Sequence, residues 1–301
     1  SACSNVNNTD TESVAVVMDL LPPARHGVRA HMGLIQRVCE SAGIKIEEVV
    51  AVVASPPCET FSLADATNIT RGNAFRDHSD PTKPPRRLST CKTPAQAVKR
   101  KVAEAHDALM RYLTGSIVED RKAGVMYEAL IENPVGSLRQ RPYMRGEDIE
   151  RYLPRLTVNY CAFGKPYSKP TDLWSTLSWS PAGSTGNGRC CHGACGMGER
   201  KGATGKFRHK EGIAREASIR PKGPHVKKTL WELPALLTEE YLEELQRQRG
   251  VGDGRVVIDL FSGGESWRCA VEKAGFRYVP VDIKDYTGKW STLEQIGEQQ
   301  A

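Results

Sequence analysis

The sequence predicts an α/β protein built on a mainly parallel sheet, and three observations carry that expectation. Short apolar runs (Val14–Leu21, Val49–Ala54, Val125–Ile131 and Val256–Phe261) have the length and composition of buried strands. Segments with helical spacing alternate with them, the pattern of a sheet joined by crossover helices. Several of the runs end in small clusters of Pro, Gly, Cys or Glu. In open α/β sheets the carboxyl ends of the strands are where ligands bind.

Taken in order, residues 1–12 are polar and read as disordered. Val14–Leu21 is a buried strand closed by Pro22-Pro23. Val28–Ala42 carries Met32, Ile35, Val38 and Cys39 on one helical face and stops at Gly43. Val49–Ala54 is a second buried strand, broken by Ser55-Pro56-Pro57. The stretch 63–93 reads as a long loop. Thr93 and Pro94 are a cap and first-turn pair for a helix reaching about Leu113. Val125–Ile131 is a strand ending in Glu132-Asn133-Pro134. Leu156–Phe163 and Thr171–Ser178 are two strands joined around Gly164-Lys165-Pro166, with Trp174 and Trp179 as packing residues. Residues 180–228, rich in Gly, Lys and Arg, read as a loop-rich insert. Leu237–Gln248 is an amphipathic helix capped by Thr238, with Glu239 and Glu240 in its first turn. Val256–Phe261 is followed by Ser262-Gly263-Gly264, a helix from about Ser266 to Lys273, and a last strand, Tyr278–Ile283.

The chain has 301 residues, 39% of them hydrophobic, enough for one large body plus an insert. No run approaches the roughly 18 apolar residues of a membrane span, and no basic-then-apolar leader is visible. The expectation is an intracellular protein without a membrane partner. Nine cysteines at irregular spacing argue against a secreted disulfide scaffold and for reduced thiols that act as ligands or nucleophiles. The net charge of +6 is unevenly spread. Residues 71–101 hold nine Lys/Arg against two acids, and residues 199–228 hold ten against three. Each block nets +7, leaving −8 for the rest, so two basic segments sit on an acidic body. Such segments fit a polyanion, with phosphate contacts the usual reason; a pair of solvated loops is the plainer reading.

Three strand ends carry chemistry. At the first, Asp259-Leu260-Phe261-Ser262-Gly263-Gly264 runs from strand through a glycine turn to helix, and Asp282 closes the next strand. Glycines let the backbone approach a nucleotide or nucleoside, and an acid at the second strand end suits ribose hydroxyls. The pattern is not G-x-G-x-x-G, which speaks against a dinucleotide. At the second, Ser55-Pro56-Pro57-Cys58 stiffens a turn that presents a thiol. That thiol is a nucleophile if a nearby cation stabilises the thiolate, and otherwise a small buried hydrophobe. At the third, Glu132 is a carboxylate that burial would keep protonated, able to donate to a ring nitrogen; the alternative is a strand-end acid bonding local backbone. In the insert, Cys190-Cys191-His192-x-x-Cys195, with His209 beyond, offers zinc-ligand types at roughly ligand spacing, the alternative being a reduced Cys-rich loop.

Together, D-L-F-S-G, P-P-C and E-N-P resemble the cofactor, nucleophile and acid motifs of the cytosine-5 DNA methyltransferase family. Tyr160-Cys161-Ala162-Phe163-Gly164 and Lys169-Pro170-Thr171-Asp172-Leu173-Trp174 look most like phage-type or mobile-element members. The motif order differs from the family's, because here the nucleophile motif precedes the cofactor motif. Joining the chain ends restores it: Val256–Phe261 becomes strand one, Tyr278–Ile283 two, Val14–Leu21 three, Val49–Ala54 four and Val125–Ile131 five. The resemblance therefore implies a Rossmann-like, S-adenosylmethionine-dependent methyltransferase sheet, circularly permuted. Residues 13–179 and 229–301 would form the catalytic domain and 180–228 a small basic target-recognition insert.

The resemblance also implies roles. Cys58 would add to cytosine carbon 6, Glu132 would engage ring nitrogen 3, and Lys169 would supply the cation of the Q-x-R-x-R motif that the chain lacks. Asp259, Phe261, Ser262, Gly263, Gly264, Asp282, Asp19 and Pro56 would hold S-adenosylmethionine. Arg71, Arg76, Arg86 and Arg87 would grip double-stranded DNA around a flipped cytosine. A monomer located with the DNA, in nucleus or nucleoid, is expected. Glu59 stands where the family has glutamine. The alternatives are an amino-methyltransferase acting on cytosine N4 or adenine N6, which shares the S-P-P turn, an RNA cytosine methyltransferase, and a non-catalytic nucleic-acid-binding module.

Overall fold

The structure, a computed structural model, describes residues 16–17, 33–61, 76, 93–182, 184, 190, 195–201, 206–209, 232–250, 254–261 and 266–282. Its strands are β1 (Val16–Val17), β2 (Val49–Ala54), β3 (Glu128–Pro134), β4 (Arg155–Asn159), β5 (Pro170–Ser175), β6 (Gly198–Lys201), β7 (Lys206–His209), β8 (Val256–Leu260) and β9 (Arg277–Asp282). Seven of them form one sheet in the order β1-β9-β8-β2-β3-β5-β4, and β6 pairs with β7 in a separate hairpin. β1, β9, β8, β2 and β3 run parallel, and β5 lies antiparallel between β3 and β4. This is the Rossmann-like α/β sheet that the sequence predicts. Counted from β8 round to β3, as though the chain ends were joined, the five parallel strands read third, second, first, fourth, fifth, the doubly wound order.

The apolar strands are continuous rather than alternating because both faces of the sheet are covered. On one face, Val52, Ala54, Ile258 and Leu260 pack with α1 (Leu34–Ala42) and α2 (Pro94–Lys122) through Leu34, Val38, Met110 and Leu113. On the other, Val50, Val53 and Val257 meet α4 (Ala235–Arg249) and α5 (Arg268–Lys273) through Leu237, Tyr241, Leu245 and Val271. A short helix, α3 (Glu147–Tyr152), precedes β4. Among the described residues no helix is long and apolar enough to cross a membrane.

Several boundaries differ from expectation. Helix α2 runs to Lys122, past Leu113, because Thr114 folds its hydroxyl onto the Met110 carbonyl (2.8 Å) and the next glycine with a left-handed backbone is Gly124. Strand β3 starts at Glu128, not Val125, and the apolar Met126 is 62% exposed. Glu128 is buried only because Arg121, Arg249 and Thr176 surround its carboxylate. β4 ends at Asn159, whose side chain caps a 3₁₀ turn over Tyr160–Phe163 where a continuing strand is predicted. Gly164, at φ 84°, closes that turn in the left-handed region. α4 is capped by Pro234, and Thr238 lies inside it with its hydroxyl donated to the Ala235 carbonyl. The insert contains the β6–β7 hairpin rather than loops alone. Cys269 is disulfide-bonded, contrary to the reading of all cysteines as thiols.

Helix α2 also carries His106, 7% exposed, whose Nδ1 shares a 3.0 Å hydrogen bond with the hydroxyl of fully buried Thr60. Burial, reinforced by the Arg76 guanidinium, pushes its pKa from 6.5 down to about 4. The unfolded chain therefore binds this proton between about pH 6.5 and 4 while the folded chain does not, so stability falls as pH falls through that window. The shift corresponds to about 3 kcal/mol. Urea unfolding from pH 7.5 to 4.5 will show this slope, and His106→Gln will flatten it.

Candidate active site

The carboxyl ends of the five parallel strands share one edge, and the order reverses between β8 and β2, so the crevice outside that point is where such a sheet takes ligands. Three segments meet there. The Ser55–Cys58 turn leaves β2, and its first amide donates to the Leu260 carbonyl. Glu132-Asn133-Pro134 ends β3 in the next register positions. The Asn133 side-chain amide donates to the Pro56 carbonyl (3.2 Å) and so ties the two turns together.

Lys169 reaches the same edge for a topological reason. β5 is antiparallel, so the residue before its first strand position sits beside the carboxyl ends of β3 and β4, with Pro134 opposite Thr171 and Asn159 opposite Pro170. The Lys169 amide donates to the Asn159 side-chain carbonyl (3.1 Å), and its carbonyl accepts from the Tyr160 amide (3.2 Å). Its ammonium lies 4.6 Å from the centre of the Tyr160 ring. The Tyr160 hydroxyl donates to Glu132 Oε1 at 2.8 Å, a buried bond to a residue only 7% exposed. The Glu132 and Lys169 charges both bear on Cys58. Burial first, and the Glu132 carboxylate second, push the half-buried Cys58 thiol up to about 12, while the Lys169 ammonium pulls it down. Two atoms at this edge, Ser55 Oγ and Asn133 Oδ1, are buried with no hydrogen-bond partner among the described residues. Buried polar atoms are normally paired, so these two stand out at the edge where the turns meet.

On the β8 side, Phe261 adopts φ 68°, the only non-glycine residue with positive φ among those described. That conformation costs about 1–2 kcal/mol for a side chain with a Cβ. It turns the chain off β8 while the Phe261 amide stays bonded to the Val281 carbonyl (2.9 Å). Asp259 is 2% exposed and accepts the Tyr278 hydroxyl at 2.6 Å, a bond inside the sheet layer. Asp282 pairs through its backbone with Val17; its side chain, together with Ser262, Gly263, Gly264 and Asp19, lies outside the described residues.

Arg76 corrects an expectation. Rather than gripping DNA, it is buried: its guanidinium donates to the Thr60 and Ala103 carbonyls and to both oxygens of Asp107 (2.8 and 3.0 Å), and lies over the Phe61 ring at 4.4 Å. Those bonds brace the segment that follows Cys58, whose Phe61 amide donates back to the Cys58 carbonyl (3.0 Å). Arg71, Arg86 and Arg87 lie outside the described residues.

A second group forms where the insert meets the body. Cys161, Cys190, Cys195 and His209 bring three sulfurs and an imidazole nitrogen within 4.8 Å of one another. Of the predicted ligand set, Cys190 and Cys195 are in it, and Cys191 and His192 lie outside the described residues. Cys161 and His209 complete it.

Reading from sequence missed Tyr160 as the partner of Glu132, Asn133 as the tie between turns, and Cys161 as a member of the sulfur group. The signal for Tyr160 and Cys161 was their place directly after a strand end, the position that selected Cys58 and Glu132. No family model matches the chain, and no curated protein matches it in sequence. Among solved structures, the cytosine-N4-specific PvuII DNA methyltransferase is similar over 84% of this chain and 86% of that one, at 10% identity and a TM-score of 0.30. A likeness at that level identifies no activity.

Proposed function

We propose that the chain is an S-adenosylmethionine-dependent DNA cytosine-5 methyltransferase with a circularly permuted catalytic domain. The observation that carries this reading is that Cys58, Glu132 and Lys169 follow β2, end β3 and precede β5 along one edge of the sheet, beside its switch point. A thiol, a buried carboxyl group and a cation are what carbon-5 methylation of cytosine needs, since the ring carbon is too weak a nucleophile unaided. Cys58 loses its proton and its sulfur bonds to carbon 6. Glu132, held by Tyr160, places its proton on ring nitrogen 3 and so accepts the charge that addition pushes into the ring. The electron pair at carbon 5 takes a methyl group, water takes the carbon-5 proton as the carbon–sulfur bond breaks to return the thiolate, and ring nitrogen 3 gives its proton back to Glu132. S-adenosylmethionine, when bound, supplies that methyl group, made electrophilic by its sulfonium.

Lys169 lowers the thiol's pKa, and neutralising Glu132 removes the charge that most opposes thiolate formation after burial. A proton moving from Cys58 to Glu132 therefore activates both groups at once. Phe261, Ser262, Gly263 and Gly264 after β8, with Asp282, Asp19 and Pro56, are the proposed cofactor contacts. The basic blocks at 71–101, apart from buried Arg76 and Arg100, and at 199–228 are the proposed phosphate contacts.

The test uses the full chain, methyl-labelled S-adenosylmethionine and duplex DNA bearing 5-fluorocytosine, with RNA in a parallel arm. Fluorine cannot leave carbon 5 as the proton does, so the carbon–sulfur bond persists. The expected result is a labelled protein–DNA adduct stable to denaturation. Label transfer with no adduct would move the reading to an amino-methyltransferase, an adduct confined to RNA to an RNA enzyme, and no transfer to a binding module.

A further inference from the structure

We infer that Cys161, Cys190, Cys195 and His209 bind one zinc ion, which staples the β6–β7 hairpin to the turn that carries Tyr160. Three thiolates and an imidazole are a structural zinc donor set. Tetrahedral zinc, at about 2.3 Å from sulfur and about 2.0 Å from nitrogen, sets donor–donor distances of roughly 3.5–3.8 Å. Here Cys190 and Cys195 sulfurs are 3.4 Å apart, and His209 Nε2 lies 3.8 Å from Cys195 and 3.1 Å from Cys190. The local fold explains the convergence. Cys190 and Cys195 are five residues apart in the loop entering β6, and His209, the last residue of β7, pairs with Gly198, the first of β6. The hairpin thus returns its histidine to the cysteines that precede it. Cys161 comes from the body, in the 3₁₀ turn after β4.

The hairpin itself supplies the second reason. Two four-residue strands with no further strand beside them among the described residues do not hold together in water unaided. A metal bound to both the hairpin and the body would fix it. Cys161 is also tied to the active site, because the Asn159 side chain accepts from the amides of both Cys161 and Lys169, and Tyr160 lies between Asn159 and Cys161. The staple therefore sets the insert's position against the Glu132–Tyr160 pair. That consequence for catalysis rests on the methyltransferase reading; the metal site does not.

Zinc content, measured on the purified full chain by mass spectrometry of metals, tests the site independently of activity. The expected result is one zinc per chain in the wild type, near none in Cys161→Ser and His209→Ala, and one in Cys191→Ser and His192→Ala. Unchanged zinc in the first pair overturns the inference, as does loss confined to the second pair. Because a variant lacking a ligand could misfold, a second measurement replaces zinc with cobalt in the wild type and in His209→Cys. Wild type should show the absorption of tetrahedral cobalt with thiolate charge transfer, and His209→Cys should raise that charge-transfer intensity by about a third as thiolates go from three to four. Absence of the tetrahedral bands overturns the site. Chelation should expose the bonds after Lys201 and Lys206 to trypsin, with zinc restoring protection; cleavage unaffected by metal overturns the staple.

Discussion

Cys58→Ala will lower methyl transfer to cytosine about 10⁴-fold or more and remove the covalent adduct with 5-fluorocytosine DNA altogether. The size follows from chemistry rather than binding. Without sulfur at carbon 6, the ring offers no nucleophile at carbon 5, and nothing at this edge replaces it. Each tenfold loss is about 1.4 kcal/mol of transition-state stabilisation, so the expected effect exceeds about 5 kcal/mol. Stability should hardly change, because Cys58 is half-buried on a turn and its backbone, which accepts from the Phe61 amide, is unaltered. Equal thermal melting of wild type and variant, with the adduct lost, separates chemistry from folding. Glu132→Gln gives the complementary result. It keeps the Tyr160 partner and the shape but cannot pass a proton to ring nitrogen 3, so the rate should fall about 10²–10⁴-fold. The same change removes the carboxylate that raises the Cys58 pKa, so the thiol in Glu132→Gln should titrate below about 12, read as faster alkylation by iodoacetamide at fixed pH. Methylation that survives Cys58→Ala would sink the carbon-5 mechanism.

The parts of this site that sequence made legible are those with a local signature. Val49–Ala54 and Val256–Leu260 are apolar at every position because both sheet faces are covered, and that pattern needs no partner to be read. Cys58 and Glu132 follow such runs directly. Lys169 could be assigned to the edge only by the resemblance, because nothing local reveals that β5 runs antiparallel and starts where β3 ends. Apolar Val125, Met126 and Tyr127 hid the true start of β3, which begins at Glu128, a carboxylate buried because Arg121 and Arg249, seven residues before it and 121 after it, enclose it. Cys161 hid as one apolar residue in Tyr-Cys-Ala-Phe, its sulfur neighbours 29 and 34 residues further along. Charge counting misled at Arg76, because a basic block looks alike whether its arginines meet phosphate or a buried aspartate.

Asp107 is that aspartate, and Asp107→Ala should be the most destabilising single substitution at the base of the active site. Its carboxylate accepts from Arg76 twice, from Arg141 (2.8 Å) and from the Tyr143 hydroxyl (2.5 Å), with both arginine side chains 3% exposed. Removing it leaves two buried guanidinium groups facing each other without their shared anion. Breaking a buried pair costs about 3–5 kcal/mol, so melting should fall by roughly 10 °C. Arg76→Ala removes one of the two cations together with its packing on Phe61, and the remaining Arg141 keeps the aspartate paired, so its cost should be smaller. Arg76→Ala removes the donor to the Thr60 carbonyl and Asp107→Ala removes the anion that holds that donor in place, so both should loosen the segment anchoring Cys58 and lower kcat more than they raise KM for DNA. A phosphate-gripping Arg76 predicts the opposite pattern: unchanged melting, weaker DNA binding and a salt dependence shallower by about one phosphate contact. Measuring melting and the salt slope of DNA binding on Arg76→Ala decides between a brace and a grip, and the bonds from Arg76 to Asp107, Thr60 and Ala103 predict the brace.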